Sequence, residues 1–492
     1  MMKEILPEEA AEFIKNGDTV AFSGFSPAGC PKAVPHCLAM RAEKEHKFGH
    51  EFKINVLSGA STNDCIDGEL TRADAMLSRF PYQTGKDIRN KINDGTIRFC
   101  DIHISQFPQY LRDGIWGKID VAVVEMAEFS ESGEGVLTTG VGCTPLFCQL
   151  ADKIIIEINE YHKSKILGMH DIYDVGGIGN KKLIPILSPM DRIGKTNIKL
   201  DPKKVIGIVR TNIPDNNFDL SQSSEETNKI GHNVSKFLVD EMINGRIPSR
   251  FLPVQSGVGN VSNAVLQTMN EESKIPCYCM YSEVLQDSVI DGIEDGKILF
   301  GSACGLSVSN ECLDKIYSNY DFFSKRLVLR PIDVTNSPEV INRLGVISIN
   351  TALEVDIFGN VNSTHIMGTD IVNGIGGAAD FSRNAYLSIF VCKSSAKNGN
   401  LSTIVPLCSH IDTSEHSAKV IITEYGIADL RGKPPAERAH LIIKNCAHPD
   451  YRDFLYKFLS FGGKKHEPID LRKVYDMHLA FQEFGDMRKL NW

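Results

Sequence analysis

Residues 255–264 read Gln255-Ser256-Gly257-Val258-Gly259-Asn260-Val261-Ser262-Asn263-Ala264. An apolar strand leads into this stretch and helical spacing leads out, so its glycines fall at a strand-to-helix turn. Such a turn lets backbone N–H groups approach an anion, and the start of a helix favours negative charge. The front of the chain has the same pattern: Thr19-Val20-Ala21-Phe22, the loop beginning Ser23-Gly24, a helix from near Pro31, and a second strand over 53–57. Downstream, a strand over 120–125, a glycine-bearing turn and Gly140-Val141-Gly142 match a strand over 346–355, the turn Asp356-Ile357-Phe358-Gly359-Asn360 and Gly374-Ile375-Gly376-Gly377. Strands alternating with helices predict an α/β fold with doubly wound, mainly parallel sheets. The repeat predicts two homologous domains with the active site in the cleft between them.

The expected domains are 1–220 and 221–492, joined by the polar run from Asp215 to Glu226, with a helical tail over about 430–492. Further strands are predicted over 97–103, 153–158, 205–209 and 275–280, and a helix over 228–244. A chain of 492 residues exceeds what one hydrophobic core supports, which agrees with two domains.

The composition is that of a soluble globular protein, 42% apolar and 23% charged. With 53 basic against 62 acidic residues, net charge −9 and no basic stripe, nucleic-acid binding is not expected. No apolar run has the length of a membrane span. The acidic residues Glu4, Glu8 and Glu9 at the start, without a signal-peptide core, point to a cytoplasmic protein. The 13 cysteines form no CxxC pair, and Cys277 and Cys279 have no partners at zinc spacing, so no metal is expected.

One carboxylate stands where chemistry belongs in such a fold. In Met280-Tyr281-Ser282-Glu283-Val284-Leu285-Gln286-Asp287, Glu283 follows a strand and precedes helical spacing over 284–293. Open α/β sheets bind ligands at the carboxyl ends of their strands. A lone Glu there is more commonly a solvated cap, so the surroundings must decide. The 255–264 loop is a poor dinucleotide fingerprint, because Ser262 occupies the third glycine position. The loop Asn373-Gly374-Ile375-Gly376-Gly377-Ala378-Ala379-Asp380 has consecutive flexible residues that let N–H groups converge on one oxygen, as an oxyanion hole requires. There is no GxSxG elbow and no Ser/His/Asp set at a recognisable spacing. Lys397, in Ser395-Ala396-Lys397-Asn398-Gly399, is a candidate phosphate contact or an ordinary surface lysine.

Together these segments resemble the acetyl-CoA hydrolase/transferase type of family I CoA-transferases, in particular its succinyl-CoA:acetate branch. The resemblance rests on Phe22-Ser23-Gly24-Phe25, residues 255–260, residues 281–287, Asn362-Ser363-Thr364-His365, residues 373–377, Ile422-Thr423-Glu424, Leu329-Arg330-Pro331 and Ala428-Asp429-Leu430-Arg431-Gly432. It implies that Glu283 is a covalent nucleophile. It also implies that Gln255, Ser256, Gly257, Val258, Gly259, Asn260, Asn373, Gly376, Gly377 and Lys397 hold coenzyme A or polarise the thioester carbonyl. Ala379 stands where family members carry glycine, which bears on the shape of that loop.

The implied reaction moves coenzyme A between a short-chain acyl-CoA and a carboxylic acid such as succinate or acetate. Coenzyme A is then a substrate and part of a covalent intermediate, and no tightly bound cofactor is expected. A solvated glutamate titrates near about 4.3, so Glu283 would be ionised at pH 7 even after a rise of about one unit on burial. Its carboxylate attacks the acyl carbonyl to give an acyl-glutamyl anhydride and the thiolate. The thiolate then attacks the glutamyl carbonyl, releasing the first acid and leaving a glutamyl-CoA thioester for the second acid to reverse. This relay predicts ping-pong kinetics. An acyl-CoA hydrolase using the same Glu with water is the nearest alternative; a sugar-phosphate isomerase-like or metabolite-sensing α/β module is more distant. A distal succinate carboxylate would call for a cation, for which Arg192, Arg330, Arg383 and Arg431 are the candidates. A homodimer or homotetramer is expected from the same resemblance.

Overall fold

The computed structural model describes residues 3–162, 166–215, 224–490 and 492. The first sheet holds β1 (Thr19–Phe22), β2 (Ile54–Leu57), β3 (Met76–Phe80), β4 (Arg98–Phe99), β5 (Val121–Phe129), β6 (Lys153–Asn159) and β7 (Val205–Thr211). Their spatial order is 4-3-2-1-5-6-7, all parallel, and two short antiparallel strands bring the sheet to nine. The second sheet holds β8 (Val254–Ser256), β9 (Tyr278–Tyr281), β10 (Ile298–Ala303), β11 (Leu327–Leu329), β12 (Ile347–Thr351), β13 (Leu387–Val391) and β14 (Val420–Thr423). Their order is 11-10-9-8-12-13-14, again parallel, with an antiparallel edge strand Gly426–Asp429. Each of the seven parallel strands of the first sheet thus has a counterpart at the same place in the second, as the sequence repeat predicts.

The central strands are apolar on both faces because helices cover both sides of a parallel sheet. Val121 to Met126 and Ile154 to Ile158 are buried throughout. Two acids interrupt these runs, Glu125 and Glu157, paired across β5 and β6. Glu157 accepts the N–H groups of Lys32 (2.7 Å), Ala33 (3.1 Å) and Val34 (3.1 Å), anchoring the start of the helix Ala33–Lys47. Glu125 pairs with Lys32 at 2.5 Å, and Asp215 pairs with the same ammonium at 2.9 Å. Burial lowers the Lys32 pKa, but its two carboxylates more than reverse this, and the pKa is raised.

Several local expectations are corrected. The strand predicted over 97–103 is only Arg98–Phe99; an irregular segment with Ile102 buried follows, then a 3-10 turn, Ile104–Gln106, that carries Ile104 into the core. The strand over 346–355 divides: β12 stays in the main sheet, while Glu354–Asp356 pairs with Val361–Asn362 and Ile404–Val405 in a separate small sheet. The 275–280 strand lies at Tyr278–Tyr281, and the helix predicted over 228–244 starts earlier, at Glu225, where Ser224 caps it. Asp215, read as linker, is buried against Lys32. Residues 216–223, with the expected domain boundary, lie outside the described residues.

The tail forms the helices Pro435–Asn445, Pro449–Gly462 and Asp476–Phe484, whose Ile442, Tyr451, Leu455, Phe458 and Met477 pack with Ile421 and Phe390 of the second sheet. All 13 cysteines are free. No helix among the described residues is long and apolar enough to cross a membrane. The two sheets meet through the loops after their strands: Gly140 bridges Gly305, the Val141 N–H donates to Cys304 O (2.9 Å) and the Leu306 N–H to Thr139 O (2.9 Å). Lys32→Ala leaves Glu125 and Asp215 buried without their cation, so it should cost about 3–5 kcal/mol in urea denaturation. An unchanged midpoint would contradict the pairing.

Candidate active site

Glu283 sits between β9 and a short parallel ladder in which Val284–Leu285 pairs with Gly305–Leu306. The helix expected from residue 284 begins only at Asp287, so the Glu283 backbone is held by strand contacts on both sides. Its carbonyl accepts the N–H groups of Cys304 (2.8 Å) and Gly305 (3.2 Å). Ser282 donates its N–H to Ser302 O (3.0 Å) and its hydroxyl to Ser256 O (3.1 Å). Gln286 Nε2 donates to Gly257 O at 3.0 Å. A carboxylate on a backbone pinned this way does not drift with a loop.

The Glu283 side chain lies at the wall of a 410 Å³ cavity between the two halves. Phe25, Tyr82 and Ile104 of the first half and Val258, Val284 and Ile375 of the second give the cavity an apolar lining. Asn336 Nδ2 donates to Glu283 Oε1 at 2.8 Å, and Thr335 Oγ1 donates to Asn336 Oδ1 at 2.9 Å, fixing which end of that amide faces the carboxylate. Glu283 is half-buried and faces the cavity. Burial pushes its carboxyl up to about 7, against the lowering effect of the Asn336 hydrogen bond and with a further rise from Asp380. This corrects the expectation of near-complete ionisation at neutral pH.

Gly377 explains how the carboxylate fits. A Cβ built there would overlap Glu283 Oε1 and lie 2.5 Å from Asn336 Nδ2. The loop before it is held by the first half: Asp101 Oδ1 accepts the Ile375 N–H at 2.8 Å, and the Ile104 N–H donates to Gly376 O at 3.2 Å. Asn93 makes a reciprocal pair with the Ile371 backbone at 2.9 and 3.0 Å. The Gly374 N–H is taken by the Asn373 side chain at 2.8 Å. The N–H groups of Gly376 and Gly377 have no hydrogen-bond partner among the described residues.

Of the residues singled out in the sequence, Glu283, Gly257, Val258, Asn373, Gly376 and Gly377 line this one cavity. Gln255, Ser256, Gly259 and Asn260 are not among its lining residues, and Asn260 is exposed. Gln255 bonds Asn350 (3.1 Å), Ser256 supports Ser282, and Gly259 at φ +128 precedes the helix Asn260–Glu271. Lys397 is exposed at a hairpin turn outside the cavity lining. The arginine candidates are engaged elsewhere or face solvent. Arg330 is buried against Asp171, Arg192 serves the carbonyls of Gly168, Ser324 and Leu327, Arg431 bridges Asp429 and Glu241, and Arg383 is exposed. No Lys, Arg or His is among the described lining residues. Asn336 and Asp380 were missed as partners of Glu283; Asn336 ends the short helix Ile332–Thr335 and Asp380 lies in the first turn of Ala378–Asn384, and neither carries a local signature.

The fold and site define a two-sheet α/β protein with a half-buried carboxylate set against a glycine-rich backbone. Residues 2–210 match the acetyl-CoA hydrolase/transferase N-terminal domain and residues 313–458 its C-terminal domain. The chain is 48% identical to the propanoyl-CoA:succinate CoA transferase of Escherichia coli over 97% of each chain. It is 44% identical to the succinyl-CoA:acetate CoA-transferase of Clostridium kluyveri, covering 99% of this chain and 90% of that one. It is 38% identical to an acetyl-CoA hydrolase of Neurospora crassa, over 100% and 97% respectively. RipA from Yersinia pestis shares the fold at a TM-score of 0.71 and 23% identity, over 92% and 96% of the two chains. The protein belongs to the acetyl-CoA hydrolase/transferase family and is an enzyme of that type.

Gly377→Ala should push the Glu283 carboxylate aside and lower turnover roughly 10²-fold, because a displacement of about 1 Å is enough. Thermal stability should change little, since the displaced group faces a cavity. Normal initial rates in this variant would contradict the fit described above.

Proposed function

We propose that the protein is a CoA-transferase that moves coenzyme A between a short-chain acyl-CoA and a carboxylic acid, with Glu283 as covalent nucleophile. The carrying observation is the placement of the Glu283 carboxylate against Gly377 and Asn336 at the wall of an apolar cavity. In its ionised form Glu283 attacks the acyl carbonyl, the C–S bond breaks, and the thiolate leaves with its electron pair. The thiolate then attacks the glutamyl carbonyl and expels the first acid as its carboxylate. The second acid attacks the resulting glutamyl thioester, and the thiolate takes the acyl group back from the anhydride. No proton has to move, which agrees with the missing triad.

Each tetrahedral intermediate carries an oxyanion, and losing one donor costs about 10²–10³ in rate. The unengaged N–H groups of Gly376 and Gly377 are the donors we assign. Residues 255–260 hold the Glu283 turn and the cavity wall, and Lys397 is assigned to a phosphate at the outer end of coenzyme A. The names of the two bacterial relatives support succinyl-CoA with acetate or propionate as the acids exchanged. The fungal relative named as a hydrolase supports a second reading, in which water resolves the intermediate. Thioester loss that depends on added acid marks the transferase; loss without acid marks the hydrolase.

Glu283→Ala should abolish transfer with the fold intact, and Glu283→Asp should reduce it by about 10²-fold or more, as the carboxylate retracts by roughly one bond. Substantial transfer by the alanine variant would sink the assignment. The reactive form is the carboxylate, so kcat/KM for acyl-CoA should fall as pH drops below about 7. A profile flat down to pH 5 would show that Glu283 titrates elsewhere. The raised pKa also has a stability consequence. The folded state keeps a proton that the unfolded chain releases near 4.5, so this group's contribution declines as pH rises from 4.5 to 7. Glu283→Gln should therefore melt higher than the parent at pH 8, by a larger margin than at pH 5. An equal margin at both would contradict the sign.

A further inference from the structure

Asp380 is buried on the helix Ala378–Asn384, directly after the glycine segment. Its Oδ1 accepts the Ser105 hydroxyl at 2.6 Å, and its Oδ2 accepts the Ser105 N–H at 2.9 Å. Oδ2 also accepts Asn336 Nδ2 at 3.2 Å, the same nitrogen that donates to Glu283 Oε1 at 2.8 Å. A half-buried carboxylate and a buried one, 97 positions apart in the chain (from 283 to 380), therefore share one amide nitrogen. The other titratable groups around the pair are few. His103 Nδ1 lies 4.0 Å from Asp380 Oδ1, Tyr82 and the Cys304 thiol feel the Glu283 charge, and Asp101 sits beyond the glycine loop. Neither carboxylate is paired with Lys or Arg among the described residues.

We infer that Asp380, clamped by Ser105 of the first half, is a positioning residue for Glu283, orienting the shared Asn336 amide and holding a like charge beside the nucleophile. This rests on Glu283 being the nucleophile. The orienting part follows from geometry. An Asn336 amide held only by Thr335 and Glu283 could rotate away, whereas Asp380 Oδ2 gives its second N–H a fixed target. The charge part follows from proximity in a poorly solvated site: a neighbouring carboxylate raises the pKa of Glu283, and a more basic carboxylate is the stronger nucleophile once ionised. Ser105 belongs to the first half and Asp380, Asn336 and Glu283 to the second. The nucleophile is thus correctly aimed only when the two halves are docked.

Asp380→Asn separates the two parts. With an amide oxygen in place of Oδ2, the new side chain can accept from the Ser105 N–H and from Asn336, while its NH₂ donates to the Ser105 hydroxyl. All three hydrogen bonds are kept and only the charge is lost. The acid limb of kcat/KM for acyl-CoA, which reports the pair rather than either residue alone, should move down by roughly 0.5 to 1 pH unit. The kcat at pH 8 should stay within about threefold of the parent or fall modestly with the weaker nucleophile. Asp380→Ala should lower kcat by about 10²-fold, and Ser105→Ala, which leaves one clamp bond, by about tenfold, both with KM for acyl-CoA nearly unchanged. An unshifted acid limb in Asp380→Asn, or parental kcat in both alanine variants, overturns the inference; if Asp380→Ala does not fold, the other two variants decide. Glu283→Gln assayed alongside keeps the two ideas apart. If it still transfers, the nucleophile assignment fails; if it is inactive while the Asp380 and Ser105 variants behave as the parent, only the present inference fails.

Discussion

The docking of first-half loops onto the segment 371–377 is the contact on which the site depends. Asp101, Ile104 and Asn93 take up backbone groups of Ile375, Gly376 and Ile371, so the glycine loop has one conformation and not many. Glycine has more conformational freedom to lose than any other residue, so a loop with Gly374, Gly376 and Gly377 needs specific partners to hold it. Those partners also turn two of its N–H groups away from other work, leaving Gly376 and Gly377 available. The repeat supplies this architecture directly. Two sheets of the same strand order face each other through the loops at their strand ends, and one half carries the carboxylate while the other braces the loop opposite it.

Within that frame the proposed chemistry of Glu283 rests on desolvation. Burial raises the Glu283 pKa to about 7, which brings the carboxylate into the range where it is both available and basic near neutral pH. Deeper burial would leave it protonated, and full exposure would give a weaker base surrounded by competing water. Asn336 works in the opposite direction by stabilising the charged form. No Lys, Arg or His lines the cavity among the described residues, while Ser61, Thr84, Ser307, Asn350 and Ser363 do. A dicarboxylic acid would therefore be received by hydroxyl and backbone groups there, and none of the four arginines considered from the sequence reaches it.

The sheets were legible because their strands are buried on both faces and read as unbroken apolar runs, as in Val121-Ala122-Val123-Val124 and Ile154-Ile155-Ile156. Where a buried apolar residue sits on irregular backbone, as at Ile102 just before the 3-10 turn Ile104–Gln106, the same signal overstated a strand. The division of residues 346–355 was hidden because Ala352-Leu353 carries apolar character across the break, and only pairing partners distinguish the two pieces. In the site, Glu283 and the glycine loop were legible because each departs locally from ordinary composition. Asn336 and Asp380 were not, since their meaning lies in contacts 53 and 44 positions away in the chain, and neither has a local signature. The buried Lys32–Glu125–Asp215 group was invisible for the same reason.

The central claim is that Glu283 carries the group being transferred. The direct measurement is to incubate the enzyme with acyl-CoA and no acceptor acid, reduce with borohydride, and map the product by mass spectrometry. The account predicts that the peptide containing Glu283 is reduced at its side-chain carboxyl to the alcohol. Modification at another residue, or none under conditions that support turnover, would contradict it.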